Sequence, residues 1–192
     1  MMTTQEITQL LKENEGALFS HFNEKGVAYW ELKPEGKWTA GQHVIHLVQS
    51  TRPLLKALKL PNFLLKWKFG TSNRPSRTYD EVIKRYNEKL ELVVPGILSP
   101  FSRSMPDSPR SEAQKWMNEL SDLNTRINNI TLKCSDDTLD KVILPHPLMG
   151  KMTLREILMW NAYHTSHHIH VLTQKYNKHH VQKSDRKNSG LL

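Results

Sequence analysis

The amino-acid sequence predicts an all-α protein, an up-down four-helix bundle with extra short helical turns and long connections. Apolar residues recur at three- and four-residue intervals in several long segments, as on the buried face of a helix. The segments that begin at Thr78 and Thr153 open with a Thr-x-x-Glu pair, which caps helix N-termini. No segment alternates apolar and polar residues as a half-buried strand does, so we expect no β-hairpin.

We expect one bundle domain over residues 1–176, followed by a basic polar tail over 177–192 that is flexible. The first helix is predicted over 3–22. The second has its N-cap at Thr39, runs to about Leu58 and ends before Pro61, because proline cannot continue a helix.

Residues 62–76 show no helical pattern and are predicted to be irregular. Three aromatic residues, Phe63, Trp67 and Phe69, lie in this segment. We expect their rings to pack locally beneath the loop, although exposed rings could also serve a partner.

The third helix is expected to begin at Thr78, which forms a capping box with Glu81. Its inward face is predicted to be Val82, Tyr86, Leu90 and Val93. The prolines of residues 95–110 indicate a long connection, which in a compact domain is usually functional or mobile. A fourth helix is predicted over 111–131, with a near-heptad apolar seam made by Trp116, Leu120, Leu123, Ile127 and Ile130.

Another connection is expected over 134–150, in which His146 is a turn residue or lines a pocket, with the turn favoured. The last helix begins at Thr153, in a capping box with Glu156, and is predicted to extend to about Tyr176.

Composition and charge limit the function classes. The net charge of +8 and pI near 9.6 favour anionic partners, including an anionic small-molecule substrate. Nucleic acid is not expected as a partner, because no nucleic-acid motif accompanies the charge. No segment has the roughly 20 apolar residues that a membrane span needs, and no signal peptide is recognisable, so we expect no membrane partner. Cys134 is the only cysteine, which excludes an intramolecular disulfide and favours a cytoplasmic location.

Two histidines of the last helix, His164 and His168, are the strongest candidate ligands. They are four residues apart, so one helix face can offer both imidazoles to one divalent ion such as zinc or nickel. Taken alone, this spacing also fits a pair of buried, hydrogen-bonded histidines. His167 and His170 fall on the outward side and are expected to be solvated.

A metal site needs a further ligand from another element, and the second helix offers His43 or His46. His43 lies roughly 80° from the centre of the apolar stripe and His46 roughly 140°. Periodicity therefore favours His43. A helix that packs against two neighbours can also use a lateral face, so His46 stays open.

Residues 38–46, Trp-Thr-x-x-Gln-x-Val-x-His, resemble the metal-binding helix of the DinB/YfiT-like family. The segments from His146 and from Tyr163 are similar to that family's last helix and its lead-in. The resemblance implies a four-helix bundle with a three-histidine metal site, and it implies His46, His164 and His168 as the ligands. His43 departs from the family pattern and is an accessory or supporting candidate. Asn161, one turn before His164, is a second supporting candidate, although a simple polar residue at the core edge explains it as well.

Three imidazoles leave a divalent ion with open positions, which is typical of a catalytic site. Hydrolysis and thiol transfer both fit such a site. The resemblance favours a thiol S-transferase, because family members use low-molecular-weight thiols such as bacillithiol, and it implies a homodimer. A metal-dependent hydrolase and a non-catalytic, stress-related binding module are the alternatives.

Overall fold

The structure, a computed structural model, describes residues 1–93 and 104–188, and for 177–188 it describes the backbone alone. Within these ranges it has seven α-helices, two short 3-10 turns (Val27–Glu31 and Arg110–Glu112) and one antiparallel hairpin. The elements are α1 (Thr4–Lys25), α2 (Ala40–Leu58), α3 (Asn62–Phe69), α4 (Tyr79–Glu91), α5 (Ala113–Thr131), α6 (Asp136–Lys141), β1 (Ile143–His146), β2 (Gly150–Thr153) and α7 (Leu154–Asn188). The prediction of an all-α fold is confirmed.

Four of the long helices form the bundle. α1 packs against α5 and α7, α2 packs against the same two helices, and α4 lies outside the bundle against α7. The core between them is made of aliphatic and aromatic side chains, among them Leu18, Trp30, Ile45 and Leu120. α2 and α7 are neighbours, which brings the histidines of both helices to one place. None of the described helices combines the length and apolar character that crossing a membrane requires.

α2, α4 and α7 start after Thr39, Thr78 and Thr153, as predicted, and each start has a reciprocal capping box, which the sequence predicted at Thr78 and Thr153. Each threonine hydroxyl accepts a hydrogen bond from the backbone N–H three residues on, while the Glu or Gln there accepts one from the threonine N–H. Two otherwise unpaired helix donors are satisfied at each start.

Residues 134–150, expected to be a connection, contain α6 and β1, and the expectation of no hairpin was wrong. The strands have four residues each, too few for an alternating pattern to be recognised. His146 closes the turn, because its Nδ1 accepts hydrogen bonds from the N–H groups of Leu148 and Met149, at 3.2 and 3.0 Å. Gly150 follows with φ of +74°, a conformation that favours glycine. The interpretation of His146 as a turn residue agrees with this geometry.

Residues 62–69, expected to be irregular, form α3 between Pro61 and Gly70. The rings of Phe63 and Trp67, expected to pack beneath a loop, are 69% and 84% exposed. Leu65 is the buried residue of this helix, so α3 has too narrow an inward stripe for the usual helical pattern.

Three further expectations differ in detail. Leu90 of α4, predicted to face inward, is 36% exposed, while Val82 and Tyr86 are buried as predicted. The helical backbone of α7 continues past Tyr176 to Asn188. Residues 94–103 of the long connection lie outside the described residues.

A close approach between α2 and the first 3-10 turn constrains Gly41. A Cβ placed on Gly41 would overlap the indole ring of Trp30, which is fully buried. We expect Gly41→Ala to lower the free energy of unfolding by about 2 kcal/mol, because the packed ring has little room to move.

Gly16 in the middle of α1 is the matched control, since no atom lies within 4 Å of a Cβ placed there. Gly16→Ala should raise the free energy of unfolding by about 0.5–1 kcal/mol through helix propensity. Urea unfolding of both variants measures the contrast, and equal effects would contradict the packing at Gly41.

Candidate metal centre

Three histidines from two helices converge in the interior of the bundle. His46 of α2 and His164 and His168 of α7 each offer a ring nitrogen, and these nitrogens lie within 4.8 Å of one another. All three side chains are buried. The Nε2 atoms of His164 and His168 are 3.1 Å apart, as the four-residue spacing on one helix face predicts.

The antiparallel packing of α2 and α7 brings these residues into register. Thr51 of α2 donates a hydrogen bond to Asn161 Oδ1 of α7 at 3.3 Å. The hydroxyl of the adjacent Ser50 lies 3.5 Å from Nδ1 of His164, which is one turn after Asn161 in α7. Asn161, a candidate supporting residue, is therefore placed to hold the two helices together through Thr51.

Both histidines of α2 lie in the cluster, although periodicity favoured His43 and the family resemblance favoured His46. Residues 43–48 of α2 are all buried. The helix packs against α5 on one side and α7 on another, so an angular position away from the apolar stripe still points into protein.

Burial keeps the site histidines uncharged at neutral pH. Desolvation, with a smaller contribution from nearby histidines, lowers the pKa of His43 to about 3 and that of His46 to about 4. Burial and the neighbouring imidazoles also hold the pKa values of His164 and His168 well below the usual 6.5. Neutral imidazole is the form that binds a metal ion.

A chain of hydrogen bonds fixes which nitrogen of His168 carries its proton. Tyr176 donates its hydroxyl proton to the Trp38 carbonyl at 2.8 Å, so the Tyr176 oxygen accepts from His43 Nε2, also at 2.8 Å. Neutral His43 then has an acceptor at Nδ1, which lies 2.8 Å from His168 Nδ1. The proton of His168 is therefore on Nδ1.

This arrangement fits a metal ion by the chemistry of its donors. With its proton on Nδ1, His168 presents a lone pair on Nε2 towards His164 Nε2. A proton on His164 Nε2 or a metal ion can satisfy that lone pair. Three imidazoles without a carboxylate suit zinc, nickel and other borderline ions better than magnesium or calcium.

His167 and His170, the other two histidines in this part of α7, differ in how far they are exposed. His170 is exposed, as expected, but His167 is half-buried and its ring lies 5.7 Å from that of Tyr86. Burial lowers the pKa of His167 to about 4, followed by the charges of His170 and Lys175. The expectation that His167 is solvated was wrong, because α4 packs over this side of α7.

The end of the long connection lies along α2 beside His46. Gln42 and Gln49, one turn to either side of His46, donate hydrogen bonds to the carbonyls of Pro106 and Ser104, at 3.0 and 3.2 Å. These bonds hold residues 104–106 next to the histidine cluster. Sequence patterns did not point to the two glutamines, since a polar residue on a helix surface is ordinary.

An apolar cavity of about 290 Å³ lies one helical turn from the cluster, between α2, α7 and the hairpin. Ser50 and Trp160 belong both to its lining and to the surroundings of His164, because the Trp160 indole stacks on the His164 ring at 4.6 Å. His146 also lines the cavity, with its ring 4.2 Å from that of Trp160. The other lining residues are mostly apolar, which suits the apolar part of a small molecule.

A comparison with known protein families identifies the family of the chain. No curated protein matches the chain. A sequence model of the DinB superfamily matches residues 10–172, which is most of the 192 residues. The chain therefore belongs to the DinB superfamily.

Proposed function

We propose that this protein is a metal-dependent S-transferase that joins a low-molecular-weight thiol, of the bacillithiol type, to an electrophile. The convergence of His46, His164 and His168 in a buried, uncharged donor set carries the proposal. These residues would hold one zinc or nickel ion. Such an ion lowers the pKa of a thiol or water that it binds and leaves room for a ligand beyond three imidazoles.

Residues around the cluster have separate roles in this proposal. The apolar cavity lined by Ser50 and Trp160 would take the electrophile, one helical turn from His164. Lys175 lies close enough for its charge to lower the pKa values of His43 and His167, so it would attract an anionic thiol towards the site. Stacking of Trp160 on His164 holds that imidazole in its orientation.

A thiol-conjugation assay tests the activity. Untagged protein loaded with zinc or nickel is mixed with bacillithiol and monochlorobimane, and fluorescence reports formation of the carbon–sulfur bond with release of chloride and a proton. We expect a rate well above the uncatalysed rate, and loss of that rate in His168→Ala. The alternative is a metal-dependent hydrolase. It would be supported if the protein did not accelerate conjugation of bacillithiol or other small thiols but did hydrolyse esters in a metal-dependent manner.

His43 is a positioning residue in this proposal, because it holds the Nδ1 proton of His168. His43→Phe keeps a ring in the buried space but removes the acceptor. We expect metal affinity to fall about 10–100-fold, as when hydrogen-bond partners of metal ligands are removed. Tyr176→Phe removes the next link and should have a smaller effect in the same direction.

Competition with a zinc chelator measures both affinities. His43→Gln, which restores an acceptor to the site, should recover part of the loss. Equal affinities for the wild type and His43→Phe would contradict the positioning role.

A further inference from the structure

α3 carries an apolar face that the described part of the chain leaves uncovered. We define the α3 patch as Leu60, just before the helix, together with Phe63, Leu64 and Trp67, which helical spacing places on one side of α3. Their side chains are 47%, 69%, 38% and 84% exposed. Single exposed apolar residues are ordinary, but a contiguous set with two aromatic rings marks an interaction surface.

The stretch of sequence that contains the patch is basic. Residues 36–79 contain eight Lys and Arg residues and no Asp or Glu. Lys66 pairs with Asp137 at 3.8 Å, whereas Lys56, Lys59 and Lys68 make no ion pair with any described residue and are free to meet an anionic partner. The patch therefore combines exposed aromatic rings with a surplus of positive charge.

This combination argues against a second copy of the chain as the occupant. A symmetric contact through the α3 patch would place the lysines of both copies beside one another, which opposes association. It also argues against a peptide that fills a groove, because Trp67, at 84% exposure, stands out from the surface instead of lining a concave site. Trp, Phe and Leu beside lysines are typical of helices that lie in the interface of an anionic bilayer.

We infer that α3 binds the surface of membranes rich in anionic lipid. Phe63 and Trp67 enter the boundary between head groups and acyl chains, and the unpaired lysines contact the lipid phosphates. The expectation of no membrane partner rested on the absence of a spanning segment, and binding at the surface requires none. This inference is independent of the proposed transferase activity.

Co-sedimentation of the full chain with vesicles tests the inference. Vesicles of equal parts phosphatidylglycerol and phosphatidylcholine are compared with vesicles of phosphatidylcholine alone. We expect binding to the anionic vesicles that weakens as the salt concentration rises. The double variant Phe63→Glu with Trp67→Glu should bind at least about tenfold more weakly, because two aromatic side chains no longer enter the bilayer.

The control is Val27→Glu with Leu92→Glu, which adds the same charge at two apolar side chains that are 77% and 75% exposed elsewhere. It should bind like the wild type. Equal losses in both double variants would show attraction by net charge alone and overturn the role of α3. An absence of vesicle binding at low salt would also overturn the inference. In that case, loss of self-association by the patch variant in light scattering would identify a second copy of the chain as the partner. Loss of binding to an acidic polypeptide would identify an acidic protein instead.

Discussion

His168→Ala is expected to reduce metal content from about one ion per chain to nearly none, while the protein stays helical. The proposed site takes two ligands from α7 and one from α2, and the pair of histidines that remains in the variant would bind an ion far more weakly. His168 is also the proposed ligand whose Nδ1 proton His43 accepts, so its removal would disrupt the ligand set and its support together. Plasma mass spectrometry of the untagged protein, after incubation with zinc or nickel, measures the occupancy.

The matched control is His170→Ala, two residues further along the same helix and exposed. It removes an imidazole without touching the cluster, and we expect full occupancy. Circular dichroism checks that both variants keep the helical signal of the wild type. Full occupancy in His168→Ala, or loss of metal in His170→Ala, would contradict the three-histidine site.

The two halves of this site differ in how far the sequence could predict them. His164 and His168 follow from spacing, because one helix fixes their relation regardless of the rest of the fold. His46 does not follow from periodicity, since residues 43–48 of α2 are buried in every direction and the apolar stripe no longer defines a single inward face. The resemblance supplied His46, and the bond from His168 to His43 became visible only when the helices were packed.

In the fold, too, local sequence patterns predicted some elements and not those that depend on tertiary contacts. Capping residues such as Thr78 marked helix starts correctly because the capping bond spans three residues. The hairpin was missed because His146 and the backbone of the turn stabilise it, and four-residue strands carry too little pattern. α3 was missed for a related reason, since Leu65 alone of its eight residues is buried.

Glu156 at the start of α7 places a buried carboxylate in the fold. Its side chain is fully buried and receives a bidentate hydrogen bond from Arg74, at 2.6 and 2.9 Å, besides bonds from the backbone and side chain of Arg77. Burial alone would raise its pKa, but the bonds from Arg74, Arg77 and Thr153 outweigh burial and hold the pKa below the ordinary 4.5. A residue that the sequence identified only as a helix cap thus also ties α7 to residues 74–77.

Glu156→Gln is expected to lower the free energy of unfolding by about 2 kcal/mol at pH 7, because it removes the buried carboxylate that Arg74 and Arg77 bind, while the two arginines, 34% and 28% exposed, partly rehydrate. The folded pKa of Glu156 lies below its unfolded value, so the carboxylate stabilises the protein above about pH 4.5 and loses this contribution as the pH falls through the folded pKa. The difference in free energy of unfolding between wild type and variant should therefore become smaller in acid.

Urea unfolding between pH 3 and 7 measures this difference. The control is Glu88→Gln, because Glu88 is an exposed carboxylate 4.0 Å from Lys84, and it should change the free energy of unfolding by under about 0.5 kcal/mol. A gap that stays constant across this range would show that Glu156 acts through packing and not through its charge.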